Sequence, residues 1–402
     1  MEQSAIGSGG RDYLQPVMAG ALAAIVGYAG TFTLVLAALT AAGASPQQAG
    51  SGLMSVCIAI GILNIVVSAR VRLPVSFAWS TPGVAFLLTM GEPAGGFPAV
   101  AGAFLVAAAL IVLTGLIRPL ARAIAAIPAP IANAMLAGML LTLCLAPIAA
   151  VAEMPALALP ILLAWIVGLR LARRYAVPIA VVVTGIVLTL TTDLPAGALD
   201  GSWPVFAPVW PVFSLDAIFR IGLPIYVVTM ASQNLPGLAV LRANGFTPRP
   251  EPLFIVSGVA SAVTAFLGGH TSNLAAITAA ICAGPEAHPD PRRRWPAPVS
   301  AGVVYLLLAP GASLAAAFIA ASPPLLIQAV AGLALLSSLA AALSGALAME
   351  ETRLPAILTF ATTASGITMV GLGAPFWGLV VGIGMMVVLR LGRPDAPKAA
   401  ES

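Results

Sequence analysis

Two short polar stretches interrupt apolar segments of this chain, and their residue types could bind an anion. The members are Ser80, Thr81, Pro82 and Gly83 in the first stretch and Gly269, His270, Thr271, Ser272 and Asn273 in the second. Hydroxyl, amide and imidazole groups can donate hydrogen bonds, and neither stretch holds an acid that would repel a negative guest. Non-helical backbone at membrane depth is tolerated only where it is buried in protein or lines a cavity. The two breaks therefore predict a buried ligand site.

The order of residues in both stretches is typical of a helix start. Ser80 or Thr81 can cap a helix whose first turn contains Pro82, and Thr271, Ser272 and Asn273 predict a second start. A helix N-terminus carries free N–H groups and about half a positive charge. Two half-helices that meet by their N-termini would bind an anion without a basic residue. The alternative is a pair of helix kinks whose hydroxyls bond back to carbonyls.

Other polar and aromatic side chains could complete such a site. Gln233 and Asn234 lie inside an apolar segment just before Pro236 and Gly237, which is costly unless the amides face a cavity or hydrogen-bond to another helix. Three aromatic residues could flank an aromatic ligand or simply pack. They are Tyr28, Phe32 and Trp79.

His270 is the one ionisable residue that the sequence places in the middle of an apolar segment. Histidine titrates near neutral pH, so His270 could bind a carboxylate when protonated or relay a proton. The alternative is a histidine that is hydrogen-bonded within a packed core. The isolated cysteines Cys57, Cys144 and Cys282 form no motif and predict free thiols, with no metal, cofactor or enzyme chemistry.

Composition places the chain in a membrane. Of 402 residues, 60% are hydrophobic and 8% are charged, whereas a soluble protein is about a quarter charged. We count fourteen apolar segments, of which the third (residues 74–90) and the tenth (270–285) are short and interrupted. The prediction is an all-α polytopic membrane protein with broken helices in these two segments.

Charge placement supports this count. With a cytoplasmic N-terminus, every Lys and Arg except Arg220 falls on the cytoplasmic side, as the positive-inside rule requires. Both termini are then cytoplasmic. Residues 193–214 form an extracytoplasmic linker between a first repeat (1–192, spans 1–7) and a second repeat (215–402, spans 8–14). Seven spans per repeat give the two halves opposite orientations, which is typical of secondary transporters.

Three stretches resemble the bacterial benzoate/proton symporter family, BenE, and the likeness extends over nearly the whole chain. They are FAWSTPGVAFLL (77–88), GLPIYVVTMASQNLPGLAVLRANG (222–245) and FLGGHTSNLAAITAAICAGPEAHPDPRRRW (266–295). The resemblance implies the seven-plus-seven inverted-repeat fold of the uracil permeases. It further implies a core domain of spans 1–4 and 8–11, a gate domain of spans 5–7 and 12–14, and short strands before the half-helices of spans 3 and 10. Such relatives are often homodimers through the gate domain.

The chain departs from the nucleobase permeases at two positions. Those permeases carry acids where this sequence has Gln233 and His270. A buried carboxylate would repel benzoate, whereas an amide and an imidazole can donate hydrogen bonds to it. The difference favours an anionic substrate over a nucleobase, and it leaves open whether His270, the substrate or water carries the proton.

The sequence thus predicts a secondary transporter of the bacterial inner membrane. It would import benzoate or a similar aromatic carboxylate with a proton by alternating access, and it would bind no nucleic acid. The alternative is a channel or exchanger for another organic or inorganic anion.

Overall fold

The first half of the chain is built from long helices and one short strand. A computed structural model describes residues 11–125, 127–172, 176–191, 203–285, 287–320, 322–369 and 372–391. The elements of the first half are α1 (Arg11–Ala41), α2 (Pro46–Val71), β1 (Phe77–Trp79), α3 (Thr81–Met90), α4 (Gly96–Leu116), α5 (Arg118–Ala125), α6 (Ala129–Glu153), α7 (Pro155–Leu171) and α8 (Ala176–Thr191).

The second half follows a similar order, with a short strand again placed before a short helix. Its elements are α9 (Leu215–Ala217), α10 (Leu223–Thr229), α11 (Leu235–Ala243), α12 (Pro250–Ala265), β2 (Ser272–Leu274), α13 (Ile277–Ala283), α14 (Pro296–Leu308), α15 (Ala312–Ala320), α16 (Pro324–Leu347), α17 (Arg353–Ala364), β3 (Thr368–Met369), β4 (Leu372–Gly373) and α18 (Ala374–Leu391). The π-helical segments Ile218–Gly222 and Met230–Asn234 join α9, α10 and α11 into one continuous helix.

Seven of the described helices are long and apolar enough to cross a membrane, and further apolar helices of 10–17 residues accompany them. The prediction of an all-helical polytopic membrane protein is confirmed. The number of fourteen spans stays a prediction, as do the repeat boundaries. Residues 1–10 and 392–402 lie outside the described part of the chain, so the cytoplasmic position of both termini also stays a prediction.

Local sequence explains where the well-defined helices begin. Ser45 caps α2: its hydroxyl accepts from the Gln48 N–H at 3.2 Å while the Gln48 side chain accepts from the Ser45 N–H at 2.9 Å. Pro46 occupies the first turn, where its missing N–H costs nothing. α3 begins in the same way, with a hydroxyl cap at Ser80 and Pro82 in the first turn.

Segments three and ten are broken, as predicted, and each break is a short strand. β1 and β2 pair antiparallel, with Phe77 opposite Leu274 and Trp79 opposite Ser272. The short strands implied by the resemblance are therefore present. Pairing satisfies one edge of each strand inside an apolar interior, where unpaired backbone groups cost several kcal/mol.

The helices pack in two groups. α1, α2, α4, α12 and α14 contact one another, and α6, α16, α17 and α18 form a second set of mutual contacts. α1 also contacts α8 and α16, so the two groups meet along α1. The division into core and gate domains stays a prediction.

The described part of the linker, residues 203–214, contacts the start of α4 and the residue that follows α12, and its extracytoplasmic position stays a prediction. The Val209 N–H donates to the Phe266 carbonyl at 2.8 Å, and the Val212 N–H donates to the Pro98 carbonyl at 2.9 Å. Trp203 and Trp210 are 79% and 81% exposed, which suits an interfacial position. Residues 193–202 of the predicted linker lie outside the described chain.

Candidate functional site

The N-terminus of α3 is organised by Ser80. Its side-chain oxygen accepts from the Gly83 N–H at 3.2 Å, and its carbonyl accepts from the Val84 N–H at 2.9 Å. A Cβ at Gly83 would lie 2.8 Å from the Ser80 oxygen, so only glycine permits this close cap. Pro82 lies in the first turn and Thr81, half-buried, is the first helical residue. The predicted helix start is confirmed.

Three hydroxyl groups from three different spans meet at this helix start. The Thr229 hydroxyl donates to the Ser80 Oγ at 2.8 Å and lies 3.3 Å from the Thr271 Oγ1. The Ser80 N–H donates to the Thr271 carbonyl at 3.2 Å. All three residues are fully buried. Since the Ser80 Oγ already accepts twice, its own O–H proton remains to be donated elsewhere.

The second predicted helix start is wrong. Thr271 precedes β2, and Ser272 and Asn273 lie within it. The helix α13 begins at Ile277 instead, and its cap position, Ala276, makes no side-chain hydrogen bond. Hydroxyl and amide residues favour a cap locally, but here strand pairing takes the same backbone groups and keeps the segment extended.

This correction changes how the two half-helices face the site. α3 follows the Trp79 end of the strand pair, beside Thr271. α13 follows the opposite end, where the Ala275 N–H donates to the Ser76 carbonyl at 2.9 Å. Three paired residues, about 10 Å of strand, separate the two starts. The N-terminus of α3 therefore meets the hydroxyl cluster, while that of α13 lies at the other end of the strands.

Side chains from neighbouring helices satisfy the outer edges of both strands. Asn64 of α2 donates to the Phe77 carbonyl at 2.9 Å and accepts from the Phe77 N–H at 2.8 Å. Ser261 of α12 accepts from the Ser272 N–H at 2.8 Å. The partner of Asn64 is thus a strand residue, which no local sequence pattern indicated.

Asn234 supports β2 in the same way. Its carbonyl oxygen accepts from the Leu274 N–H at 2.9 Å, its amide nitrogen lies 3.1 Å from the Met230 sulfur, and the residue is fully buried. The structure does not bring its amide to the hydroxyl cluster. Gln233 is half-buried on the same π-helical segment, and the Ser232 hydroxyl is buried with no hydrogen-bond partner. Such π segments frequently mark functional sites.

The three predicted aromatic residues lie together. Tyr28 stacks on Phe32 with ring centroids 5.2 Å apart and meets Trp79 edge-on at 6.0 Å. Trp79 donates its indole N–H to the Thr31 hydroxyl at 3.0 Å. Sequence reasoning missed Tyr305, which packs edge-on against Trp79 at 5.7 Å. Tyr305 lies in an ordinary apolar segment, so no local signal could have identified it.

His270 is 2% exposed, and neither ring nitrogen has a hydrogen-bond partner among the described residues. The interpretation of a hydrogen-bonded core histidine is therefore wrong. The preceding Gly269 allows close packing on α2, because a Cβ there would lie 2.7 Å from the Ser55 Oγ and 2.8 Å from a Val56 methyl. The Ser272 hydroxyl and the Asn273 side-chain oxygen are also buried without partners. This end of segment ten holds unused polar groups, which are costly unless a guest or water uses them.

No charged side chain is buried near this cluster among the described residues. The buried polar and charged set includes a single arginine, Arg294, which donates to the carbonyls of Ala283 and His288 beyond the end of α13. Donors at the site are thus hydroxyl, amide and imidazole groups and the N–H of Thr81 at the start of α3. The described residues contain no group of three or more His, Cys, Asp or Glu side chains placed to hold a metal.

The fold is shared with anion transporters of known structure. The transmembrane domain of a cyanobacterial bicarbonate transporter, BicA, superposes with a TM-score of 0.58 at 13% identity and covers 95% of this chain and 98% of that one. The inward-facing murine Slc26a9 anion transporter gives a TM-score of 0.64 at 11% identity, over 95% and 69% of the two chains. These similarities establish the seven-plus-seven inverted-repeat fold.

Two bacterial proteins have a higher sequence identity to this chain than these structures do. The inner membrane protein YdcO of Escherichia coli (strain K12) is 39% identical over 386 residues, which is 93% of this chain and 96% of that protein. The benzoate membrane transport protein of Acinetobacter baylyi (strain ATCC 33305 / BD413 / ADP1) is 32% identical over 387 residues, 95% of this chain and 96% of its own length. Residues 13–388 match the family described as "Benzoate membrane transport protein", BenE, and the chain belongs to that family.

Proposed function

We propose that this protein imports benzoate or a similar aromatic carboxylate together with a proton, by alternating access across the bacterial inner membrane. One observation carries the proposal: a buried, acid-free cluster of hydroxyls at the start of α3 lies directly beside a wall of aromatic rings. A carboxylate needs hydrogen-bond donors at one end and an apolar surface at the other, and this arrangement offers both. The relationship to a benzoate transport protein supports the same substrate.

The carboxylate end would lie at the α3 N-terminus. The N–H of Thr81 and the unused O–H of Ser80 can donate to a carboxylate oxygen, and the helix dipole favours negative charge there. Gln233 would add a donor from segment eight, while the Thr271 hydroxyl holds Thr229 in place by donating to it. Hydrogen bonds to a charged group contribute about 1.5–3 kcal/mol each, which can replace a basic residue when several converge.

The ring end would lie against Trp79, Tyr28 and Phe32. Trp79 directly precedes Ser80 in the chain, so a molecule held at the cap lies within reach of the indole. Tyr28 and Phe32 are half-buried and leave part of their faces open, whereas Trp79 is 3% exposed. Aromatic pairs contribute about 0.5–1.5 kcal/mol beyond the burial of their area.

His270 is the proposed carrier of the proton. It is buried in the core, and both of its ring nitrogens are free of protein partners. A histidine that gains a proton when the substrate carboxylate arrives would share the charge with it, and it would lose that proton when the site opens to the cytoplasm. Proton movement and substrate movement would then be coupled.

Alternating access would come from movement of the core helices against the gate helices. The site lies on spans 1, 3, 8 and 10, all of the proposed core, and α1 contacts α8 and α16 of the proposed gate. A homodimer formed through the gate domain would immobilise that domain while the core domain moves.

Uptake into proteoliposomes tests this function. Labelled benzoate should accumulate above its external concentration when the inside is made alkaline, and it should stop accumulating when a protonophore removes the gradient. Liposomes without protein are the control. Accumulation of benzoate that does not depend on the proton gradient would contradict proton coupling.

A channel or exchanger for another anion is the second candidate. A cluster of hydroxyls and helix N–H groups without a basic residue could accept other small anions. Uptake that merely equilibrates and does not depend on pH, or that requires an internal counter-anion, would favour it over the symporter.

A further inference from the structure

A cavity lies among α1, α8, α15 and α16, and no residue of the hydroxyl cluster lines it. Its volume is about 420 Å³, within the range of about 300–1,000 Å³ typical of small-molecule sites. α1 and α15 line one side, and α8 and α16 line the other. Phe32 contributes to the wall and also stacks on Tyr28, so it borders both this cavity and the proposed transport site.

The lining is apolar except for three threonines, and it contains no charged residue or histidine. Thr184 and Thr189 donate to carbonyls of their own helix, those of Ala180 at 2.7 Å and Ile186 at 2.9 Å. Thr33 differs: it is 6% exposed, and its hydroxyl has no hydrogen-bond partner. A buried hydroxyl without a partner costs about 1–3 kcal/mol, and a rotation about its Cα–Cβ bond would direct it to an occupant.

Two glycines on opposite walls leave room for a ligand. A Cβ built on Gly185 of α8 or on Gly311 would meet no atom within 4 Å. Phe318 faces the same space and, with Phe32, provides two aromatic rings. The open space therefore extends beside two glycines and does not result from the lack of a side chain at a single position.

We propose that this cavity is a second binding site, for an uncharged molecule with a single aromatic ring and one polar group that accepts a hydrogen bond from Thr33. An ion does not fit this cavity, because the lining has no charged residue and Thr33 is its only hydroxyl that does not already donate to a carbonyl, too few donors to solvate a desolvated charge. The two phenylalanine rings favour an aromatic occupant. An occupant would contact α1 and α15 on one side and α8 and α16 on the other.

This site does not depend on the proposed transport function, since its ligand is neutral and it shares only Phe32 with the proposed transport site. The full-length protein in lipid nanodiscs can be titrated with 4-fluorobenzyl alcohol and followed by ¹⁹F NMR. Empty nanodiscs give the signal from partition into lipid. We expect saturable binding to the protein above that signal.

Two variants locate the binding. Gly185→Leu fills the open space and should weaken binding at least about tenfold. Thr33→Val keeps the shape and removes the hydroxyl, and it should weaken binding about fivefold, the loss expected for one hydrogen bond. Gly384→Leu is the matched control, because Gly384 also faces open space but lies on α18 away from the cavity.

Saturable binding that is lost in Gly185→Leu and kept in Gly384→Leu would support the site. Binding that does not saturate, or that is equal in all three variants and the parent protein, would overturn it. Full affinity in Thr33→Val with loss in Gly185→Leu would overturn the assignment of Thr33 as the polar contact.

Discussion

Ser80 has two roles at a single oxygen atom. Its Oγ caps α3 through the Gly83 N–H and also accepts the Thr229 hydroxyl, so it fixes both the helix start and the distance to span 8. The residue is fully buried, and its own proton has no other assigned use. Trp79, the last residue of β1, and Thr81, the first residue of α3, are bonded to Ser80 and are positioned by the same cap. At the residue scale, the geometry of the proposed site therefore depends on Ser80, which lies between the end of β1 and the start of α3.

The first prediction concerns Ser80. Ser80→Ala should lower the affinity for benzoate about fivefold, through loss of one hydrogen bond, and should lower the free energy of unfolding by about 1 kcal/mol through loss of the cap. Calorimetric titration measures the affinity and thermal melting measures the stability. Ser80→Thr is the control because it keeps the hydroxyl. An unchanged benzoate affinity in Ser80→Ala would remove this hydroxyl from the site.

The second prediction concerns His270. His270→Ala should abolish proton-driven accumulation of benzoate because no Asp, Glu or Lys side chain is buried among the described residues, and the other buried histidine, His288, lies beyond the end of α13. Exchange of internal for external benzoate, which needs no net proton movement, should persist and serves as the control for folding. Full accumulation in this variant would show that the proton travels by another route.

At the scale of elements, the strand pair β1–β2 depends on helices that lie on either side of it. Asn64 satisfies both backbone groups of Phe77, and Ser261 satisfies the N–H of Ser272. A two-stranded ribbon alone is at best marginally stable. It persists here because polar side chains from α2 and α12 replace the missing neighbouring strands. The ribbon in turn holds the start of α3 against Thr271.

The third prediction tests this support. Asn64→Leu should leave the N–H and C=O of Phe77 buried without partners, at a cost of about 1–3 kcal/mol each. A marked fall in melting temperature and loss of benzoate binding should follow. Asn133→Leu is the matched control, since no hydrogen bond of Asn133 is described although it also lies within a helix. An equal effect of the two substitutions would contradict the role of Asn64.

At the scale of the whole molecule, the described helices form two groups that meet along α1. The positive-inside rule gives this assembly an orientation. Glu92 would lie on the outer face, in the short connection between α3 and α4, and Arg249 would lie on the cytoplasmic face, just before α12. Both side chains are exposed.

The fourth prediction tests the orientation. In intact cells, Glu92→Cys should react with a membrane-impermeant maleimide and Arg249→Cys should react only after the membrane is permeabilised. The native Cys57, Cys144 and Cys282 are buried and should give little background. The parent protein is the control. Labelling of Arg249→Cys in intact cells would invert the proposed topology.

The sequence by itself determined the class of protein, the two breaks and the cap at Ser80. These follow from hydrophobic composition, from interrupted apolar segments and from a local hydroxyl–proline pattern, which are properties of neighbouring residues. The grouping of Tyr28, Phe32 and Trp79 was also predicted, from residue type and the resemblance.

Only the tertiary structure decided the rest. Thr271, Ser272 and Asn273 have the composition of a helix cap, yet they lie in or beside a strand because the partner that uses their backbone is almost 200 residues away in β1. Asn64, Asn234 and Tyr305 gained their roles in the same way, through contacts between distant spans. A cap is decided within four residues of chain, whereas a strand pair and a cavity are decided by which surfaces meet, and a local pattern carries no information about that.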